Sequence, residues 1–281
     1  MKYALFTSGY RYRPLEQAFA DAARLGYSGI ELCGERPHGY APDLTGARLE
    51  QVRRWIDRYQ VPVIGYCPKV NGYPYNLMLG ERDIWEDSLA YVRRTLDAAR
   101  DLGAGFSVLA FGPSAYGTSS AEKRRRMRES LMRLADHAAG REIFLLIEPL
   151  TPGESDALCT AEELARLLEE VDCPYIAGMC DTVVPFLAAC RGQGHETIDT
   201  YFDALGPRLR HIHMTDCNGL NEEHILPGEG IAPLREMLAA LGRRSYEGYV
   251  TIELVDLYRA DPSRYAALSL DHMRALEASA T

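Results

Sequence analysis

IFLLIEP, residues 143–149, is an unbroken apolar run that closes on a carboxylate and a proline. A strand covered on both faces reads this way, as a short continuous apolar segment and not as an alternating one. Three later apolar runs likewise carry a polar residue toward their carboxyl ends: YIAGMCD (175–181), LRHIHMT (209–215) and YVTIELV (249–255), with helix-like sequence between them. Upstream, further strand-like runs cover Tyr3–Thr7, Ser28–Leu32, Val61–Tyr66 and Phe106–Ala110, which with Ile143–Glu148, Ile176–Asp181, Leu209–Thr215 and Tyr249–Leu254 makes eight β-then-α units. Between them the helical period is plain, as in Trp85, Leu89, Val92, Leu96 and Ala99. Several strands are entered through a glycine-aromatic signal, LGYSGI (25–30) or YEGYV (246–250), where glycine closes the preceding helix. Eight such units in a chain of 281 residues predict an α/β fold, a single (β/α)8 TIM barrel domain over residues 1–281. The alternative is a doubly wound open sheet, but no G-x-G-x-x-G follows the first strand.

The composition narrows the function classes. Apolar residues at 47% and charged residues at 25% are those of a globular protein, and no linker, fixed-period repeat or low-complexity tract interrupts them. A net charge of −9 argues against a nucleic-acid surface, which wants a basic face. The one basic run, Lys123 to Arg128, falls on the polar side of a helix whose apolar face is Met127, Leu131, Leu134 and Ala138, and reads as a solvated face. No apolar stretch approaches the roughly 20 residues of a membrane span. MKYALFTSGY runs straight into a strand-like pattern with no signal-peptide core, and seven cysteines without a CxxC pair read as reduced thiols, so a cytoplasmic location is expected.

The four strand-ending polar residues are Glu148, Asp181, His213 and Glu253. Each stands at the carboxyl end of its strand, the rim where α/β barrels keep their chemistry. Three carboxylates and an imidazole suit a hard or borderline divalent ion: manganese first, with magnesium, cobalt, nickel or zinc as alternatives, and not a closed thiolate site. A carboxylate ending a run as apolar as IFLLI is costly to bury unless a cation or hydrogen bonds accept it. On the fifth and eighth strands, Glu148 and Glu253 would approach the barrel axis from different sides. One could remove a proton from one face of a carbon and the other return it to the opposite face, while a metal on adjacent oxygens stabilises the enediolate between the two steps. His211 shares a strand face with His213 and is expected one layer behind it, as a supporting residue.

Two loops near the same rim carry aromatic and hydrogen-bonding groups. CPKVNGYPYNLML (67–79) offers Tyr73, Tyr75 and Asn76, and GERPHGYAPDL (34–44) offers His38 and Tyr40. Tyrosine combines a flat apolar face with a hydroxyl and makes a reasonable wall for a sugar-like ligand, so these are candidate substrate contacts. A loop packed on itself through proline and tyrosine is an equal alternative. No G-x-x-x-x-G-K-[ST] is present to cradle a nucleotide.

The strand endings EPL, CDT, HIHMTD, PGEG and TIEL resemble the xylose-isomerase-like barrel superfamily of sugar isomerases and ketose 3-epimerases. Within it RPHGYAPDL, NGYPYNLMLG, EPLTPGES, LRHIHMTD, LPGEG and YEGYVTIELV resemble the fructoselysine 3-epimerases, and the similarity spans nearly the whole chain. The resemblance implies a divalent metal held by Glu148, Asp181, His213 and Glu253, with Glu148 and Glu253 exchanging the C3 proton of a ketose. Glu154 matches a further substrate-contacting glutamate. Two positions depart from the ketose 3-epimerases: Val184 stands where they have a histidine, and His224 where they have an arginine. The metal set is intact while the substrate contacts differ, which favours a modified ketose, fructoselysine or psicoselysine, over free tagatose or psicose. The partners expected are therefore a small ketose or ketosamine and a second copy of the chain in a homo-oligomer, with neither nucleic acid nor membrane. The rivals are another sugar isomerase or polyol dehydratase using the same metal, an endonuclease-IV-like nuclease, and a barrel that binds sugar without turnover.

Overall fold

Eight parallel strands pair in sequence order and the eighth returns to the first, so the sheet is a closed barrel and the open-sheet alternative falls away. The strands are β1 (Lys2–Phe6), β2 (Gly29–Cys33), β3 (Val63–Cys67), β4 (Phe106–Ala110), β5 (Phe144–Glu148), β6 (Ile176–Asp181), β7 (Leu209–Met214) and β8 (Tyr249–Ile252). The helices are α1 (Leu15–Leu25), α2 (Gly46–Tyr59), α3 (Arg82–Asp101), α4 (Ser120–Arg141), α5 (Ala161–Val171), α6 (Val183–Cys190), α7 (Ile198–Leu205), α8 (Leu234–Arg243) and α9 (Pro262–Ala280). This computed structural model describes residues 1–221, 223–255 and 258–280. Every expected strand is present, with ends displaced by at most two residues, and the unit after β6 carries two short helices in place of one.

The periodicity read in α3 is the face that packs: Trp85, Leu89, Val92, Leu96 and Ala99 are all buried. Gly26 ends α1 at φ 84°, a left-handed conformation that favours glycine, and its N–H bonds back to Ala22. In α4 the apolar stripe Met127, Leu131, Leu134 and Ala138 is buried as expected. The basic run on its other side is more than a solvated face. Arg126 donates to the carbonyls of Leu77, Leu79 and Gly80, and Lys123 pairs with Asp156, so the helix anchors two of the rim loops.

Side chains alternate in and out along each strand. The barrel interior is filled by Ala4, Ile64, Phe106, Val108, Leu146, Ala177 and Met179, a cluster separate from the larger core between sheet and helices. Gly65 makes room for this packing, because a Cβ there would lie 2.1 Å from the Phe106 ring. That ring in turn rests 4.5 Å, centroid to centroid, from the ring of His211. The apolar plug thus ends where the polar residues begin. Among the described residues no helix is long and apolar enough to cross a membrane, and all seven cysteines are free thiols.

Candidate active site

The inward parity that puts Leu146 in the plug puts Glu148 one layer above it, and Met179, His211 and Thr251 lie in the same way below Asp181, His213 and Glu253. In register, Asp181 is beside His213 and His213 beside Thr251, so three of the four residues stand on neighbouring strands at one rim. Glu148, Asp181 and Glu253 line a cavity of about 350 Å3 that opens there, with Glu154 and His224 on its wall. His213 is almost fully buried beneath them.

His213 links the cavity to a buried network. Its Nε2 lies 3.0 Å from each oxygen of Glu31, while its Nδ1 is 2.9 Å from Glu253 Oε2 and 3.6 Å from Glu148 Oε1. Glu31, on β2, is fully buried and also receives Thr251 Oγ1 at 2.7 Å and His211 Nε2 at 2.9 Å. Burial alone would raise the Glu31 carboxyl, but the imidazoles of His213 and His211 overcome it and hold it well below the ordinary range. An ionised carboxylate only accepts, so the Nε2 of both histidines carries the proton. Burial lowers His211, against the pull of Glu31, whereas in His213 Glu31 and Glu253 together outweigh burial and raise it well above its usual value.

The donor set fits a cation. His213 Nδ1 is buried with no aligned hydrogen-bond partner, although Glu253 is close, and the atom faces a group of carboxylates. Those carboxylates crowd one another: burial first, then the charges of Glu253, Asp181 and Glu154, push Glu148 well above the usual range despite His213. Glu253 goes the other way, its burial outweighed by His224 and His213. Like charges gathered around an orphaned imidazole nitrogen are what a divalent ion relieves, and oxygen and imidazole donors suit a hard or borderline one.

The tightest groupings differ from the expected quartet. Asp181, His224 and Glu253 gather their donor atoms within 4.8 Å of one another, and Glu31, His211 and His213 do so separately. His224 Nε2 lies 3.7 Å from Asp181 and 3.6 Å from Glu253, so a residue expected to touch substrate stands against two expected ligands. Burial lowers His224, but Glu253 and Asp181 raise it well above its ordinary value. The loop after β7 that carries it is tied down by Asp216, whose carboxylate accepts the backbone N–H groups of Cys217, Gly228, Gly230 and Ala232, each at 2.9 Å. Val184 lines the cavity at the other departure from the ketose 3-epimerase pattern.

Five expected substrate contacts are not brought to the cavity. Tyr73 is 96% exposed at a loop tip. The Tyr75 ring stacks 3.9 Å from that of Tyr91 on α3, and its hydroxyl meets that of Tyr40 at 2.9 Å. Asn76 accepts from Met78 N and donates to the Pro113 carbonyl, and His38 Nε2 binds the Arg13 carbonyl at 2.8 Å. These residues brace their loops. The same segments reach the cavity nearer the strand ends, through Lys69, Asn71 and Glu35. Glu31 escaped the sequence reading altogether; a carboxylate in the middle of the run GIELC was the available signal.

Comparison with known proteins places the chain in a family. The profile of the xylose isomerase-like TIM barrel family matches residues 19–276. The fructoselysine 3-epimerase of Escherichia coli O157:H7 is 40% identical over 276 residues, covering 98% of each chain. Among solved structures, a D-psicose 3-epimerase crystallised in the presence of D-fructose superposes with a TM-score of 0.77 at 21% identity, over 99% of this chain and 98% of that one. The IOLI protein, solved with a zinc atom, gives 0.82 at 15% identity over 100% and 99%, and these two show the fold alone. The chain belongs to the xylose isomerase-like TIM barrel family and is an epimerase within it.

Proposed function

We propose that the chain is a divalent-metal-dependent 3-epimerase of a ketose amine, interconverting fructoselysine and its C3 epimer psicoselysine. The observation that carries the reading is the pair Glu148 and Glu253, carboxylates from the fifth and eighth strands that line one cavity and approach the same imidazole nitrogen. The 40% identical relative that bears the name fructoselysine 3-epimerase supports the substrate.

Glu148, Asp181, His213 and Glu253 would hold the ion, with His224 close enough to join them or to meet a substrate oxygen. A bound divalent cation supplies Lewis acidity to oxygens of the ketose, manganese being the first choice for this donor set. The rest is done by the protein. Glu31 keeps the proton on His213 Nε2, which leaves Nδ1, on the carboxylate side, as the nitrogen that would give its lone pair to the ion. In the metal-free protein Glu148 and Glu253 are driven in opposite directions, burial and the neighbouring carboxylates raising the first and His224 and His213 lowering the second, so the two differ as acid and base. A two-base inversion needs one glutamate ionised, to take the C3 proton from one face, and the other protonated, to give a proton to the opposite face. Glu154 and Thr151, on the cavity wall, would bind hydroxyls further along the chain of the sugar.

The test is conversion of fructoselysine followed by NMR, before and after chelation. Formation of the C3 epimer, lost on metal removal and restored by Mn2+ or Co2+, is the expected result. Full activity in a verified metal-free preparation would sink the metal assignment.

A further inference from the structure

The cavity has two chemically different halves. Strands β5 to β8 contribute Glu148, Asp181, His224 and Glu253, while the loops after β1, β2 and β3 contribute Arg11, Glu35 and Lys69 across the mouth. Arg11 Nη2 donates to Glu35 Oε2, and the two side chains keep 29% and 28% of their surface open. An ion pair in the wall of a cavity shows a ligand both signs of charge side by side. Removal and return of a proton at C3 uses neither.

Resting on the fructosamine reading above, we propose that Arg11 and Glu35 form a subsite for the α-amino-acid end of the substrate, Arg11 receiving the α-carboxylate and Glu35 the α-ammonium, with Lys69 beside the carboxylate. The two charges of an amino acid sit on one carbon, so their partners must themselves be neighbours, which the Arg11–Glu35 pair guarantees. Docked head to tail, the zwitterion and the ion pair make a closed ring of four charges in which each is flanked by two of opposite sign. The guanidinium fork matches a carboxylate in two-point contact. With the ketose end on strands β5 to β8, the linking chain crosses the cavity to the opposite wall. A free hexose reaches the same metal half and offers this subsite nothing, so charge recognition here separates a lysine conjugate from a plain ketose.

The experiment removes the charges from the ligand first and from the protein second. The metal-loaded enzyme is given fructosyl adducts of lysine, of 6-aminohexanoate (no α-ammonium) and of 1,5-diaminopentane (no α-carboxylate), and kcat/KM for C3 epimerisation is compared. The lysine adduct should exceed each of the others by at least about tenfold, the effect of leaving a charged partner without its ligand group. In Arg11→Met the lysine adduct should fall to the level of the diaminopentane adduct, and in Glu35→Gln to that of the aminohexanoate adduct, with the rise confined mainly to KM. Equal turnover of the three adducts by the unaltered enzyme overturns the subsite and leaves the epimerase reading standing; this arm needs no variant to fold. Variants that lower all three adducts by the same factor also overturn it. Turnover of free ketoses with none of any adduct overturns the fructosamine reading and the subsite together.

Discussion

Glu148 and Glu253 occupy inward positions directly above Leu146 and Thr251, and that parity was readable because each ends an apolar run. Asp181 and His213 were legible for the same reason. Glu31 was not: it lies on the second strand, apart from the four later runs, and its partners at His211, His213 and Thr251 are 180 to 220 positions away in sequence. The loop tyrosines misled because composition says what a side chain could touch but not which way a loop turns, and Tyr75 turns onto Tyr91. Two predictions belong here. Glu148→Gln and Glu253→Gln should each lower epimerisation by about 10²–10⁴, and each should keep solvent exchange with only one C3 epimer, the two variants with opposite epimers. Near-wild-type epimerisation in both, with metal bound, contradicts the two-base account. Glu31→Gln should weaken Mn2+ binding by about 10- to 100-fold in calorimetry, since the orientation of His213 loses its anionic acceptor. Unchanged affinity would show that Glu31 does not set the imidazole.

At the scale of elements, the helical stripe of α3 and the polar loop after β7 show how differently the two kinds of segment encode their place. Leu89 lies at a periodic position and is fully buried, so Leu89→Ala should destabilise the protein by about 2–5 kcal/mol in urea unfolding, with little effect on kcat. The loop after β7 has no such period. It is held by four backbone N–H groups on one carboxylate, Asp216, and Gly230 packs so closely that a Cβ there would lie 2.3 Å from Asp216 Oδ1. Asp216→Ala leaves those donors without their acceptor, about 1–3 kcal/mol for each that stays buried. Protease cleavage within residues 217–232 should therefore appear in that variant, with weaker metal binding through the displaced His224. A loop that stays resistant would mean that other contacts hold it. Strand ends moved by a residue or two from expectation because hydrophobicity marks what is buried, while pairing decides where the ladder stops.

For the molecule as a whole, closure of the sheet turns four separate strand ends into one ring, which is why the barrel could be read from repeated units while the cavity's far wall could not. The ring also fixes a pH dependence. In the metal-free protein His213, His224 and Glu148 are all raised above their ordinary values, so a cation competes with protons for these groups. Metal affinity should accordingly rise with pH and fall as the solution is acidified. Calorimetry in buffers of different ionisation enthalpy should detect net proton release, and an affinity flat between pH 6 and 8 would contradict this. The central claim is inversion at C3 by proton exchange, and one measurement reaches it directly: incubation of the metal-loaded protein with fructoselysine in D2O, read by NMR. The account predicts deuterium at C3 together with the appearance of the C3 epimer; deuterium at C1 alone, or epimer formed without solvent deuterium, would contradict it.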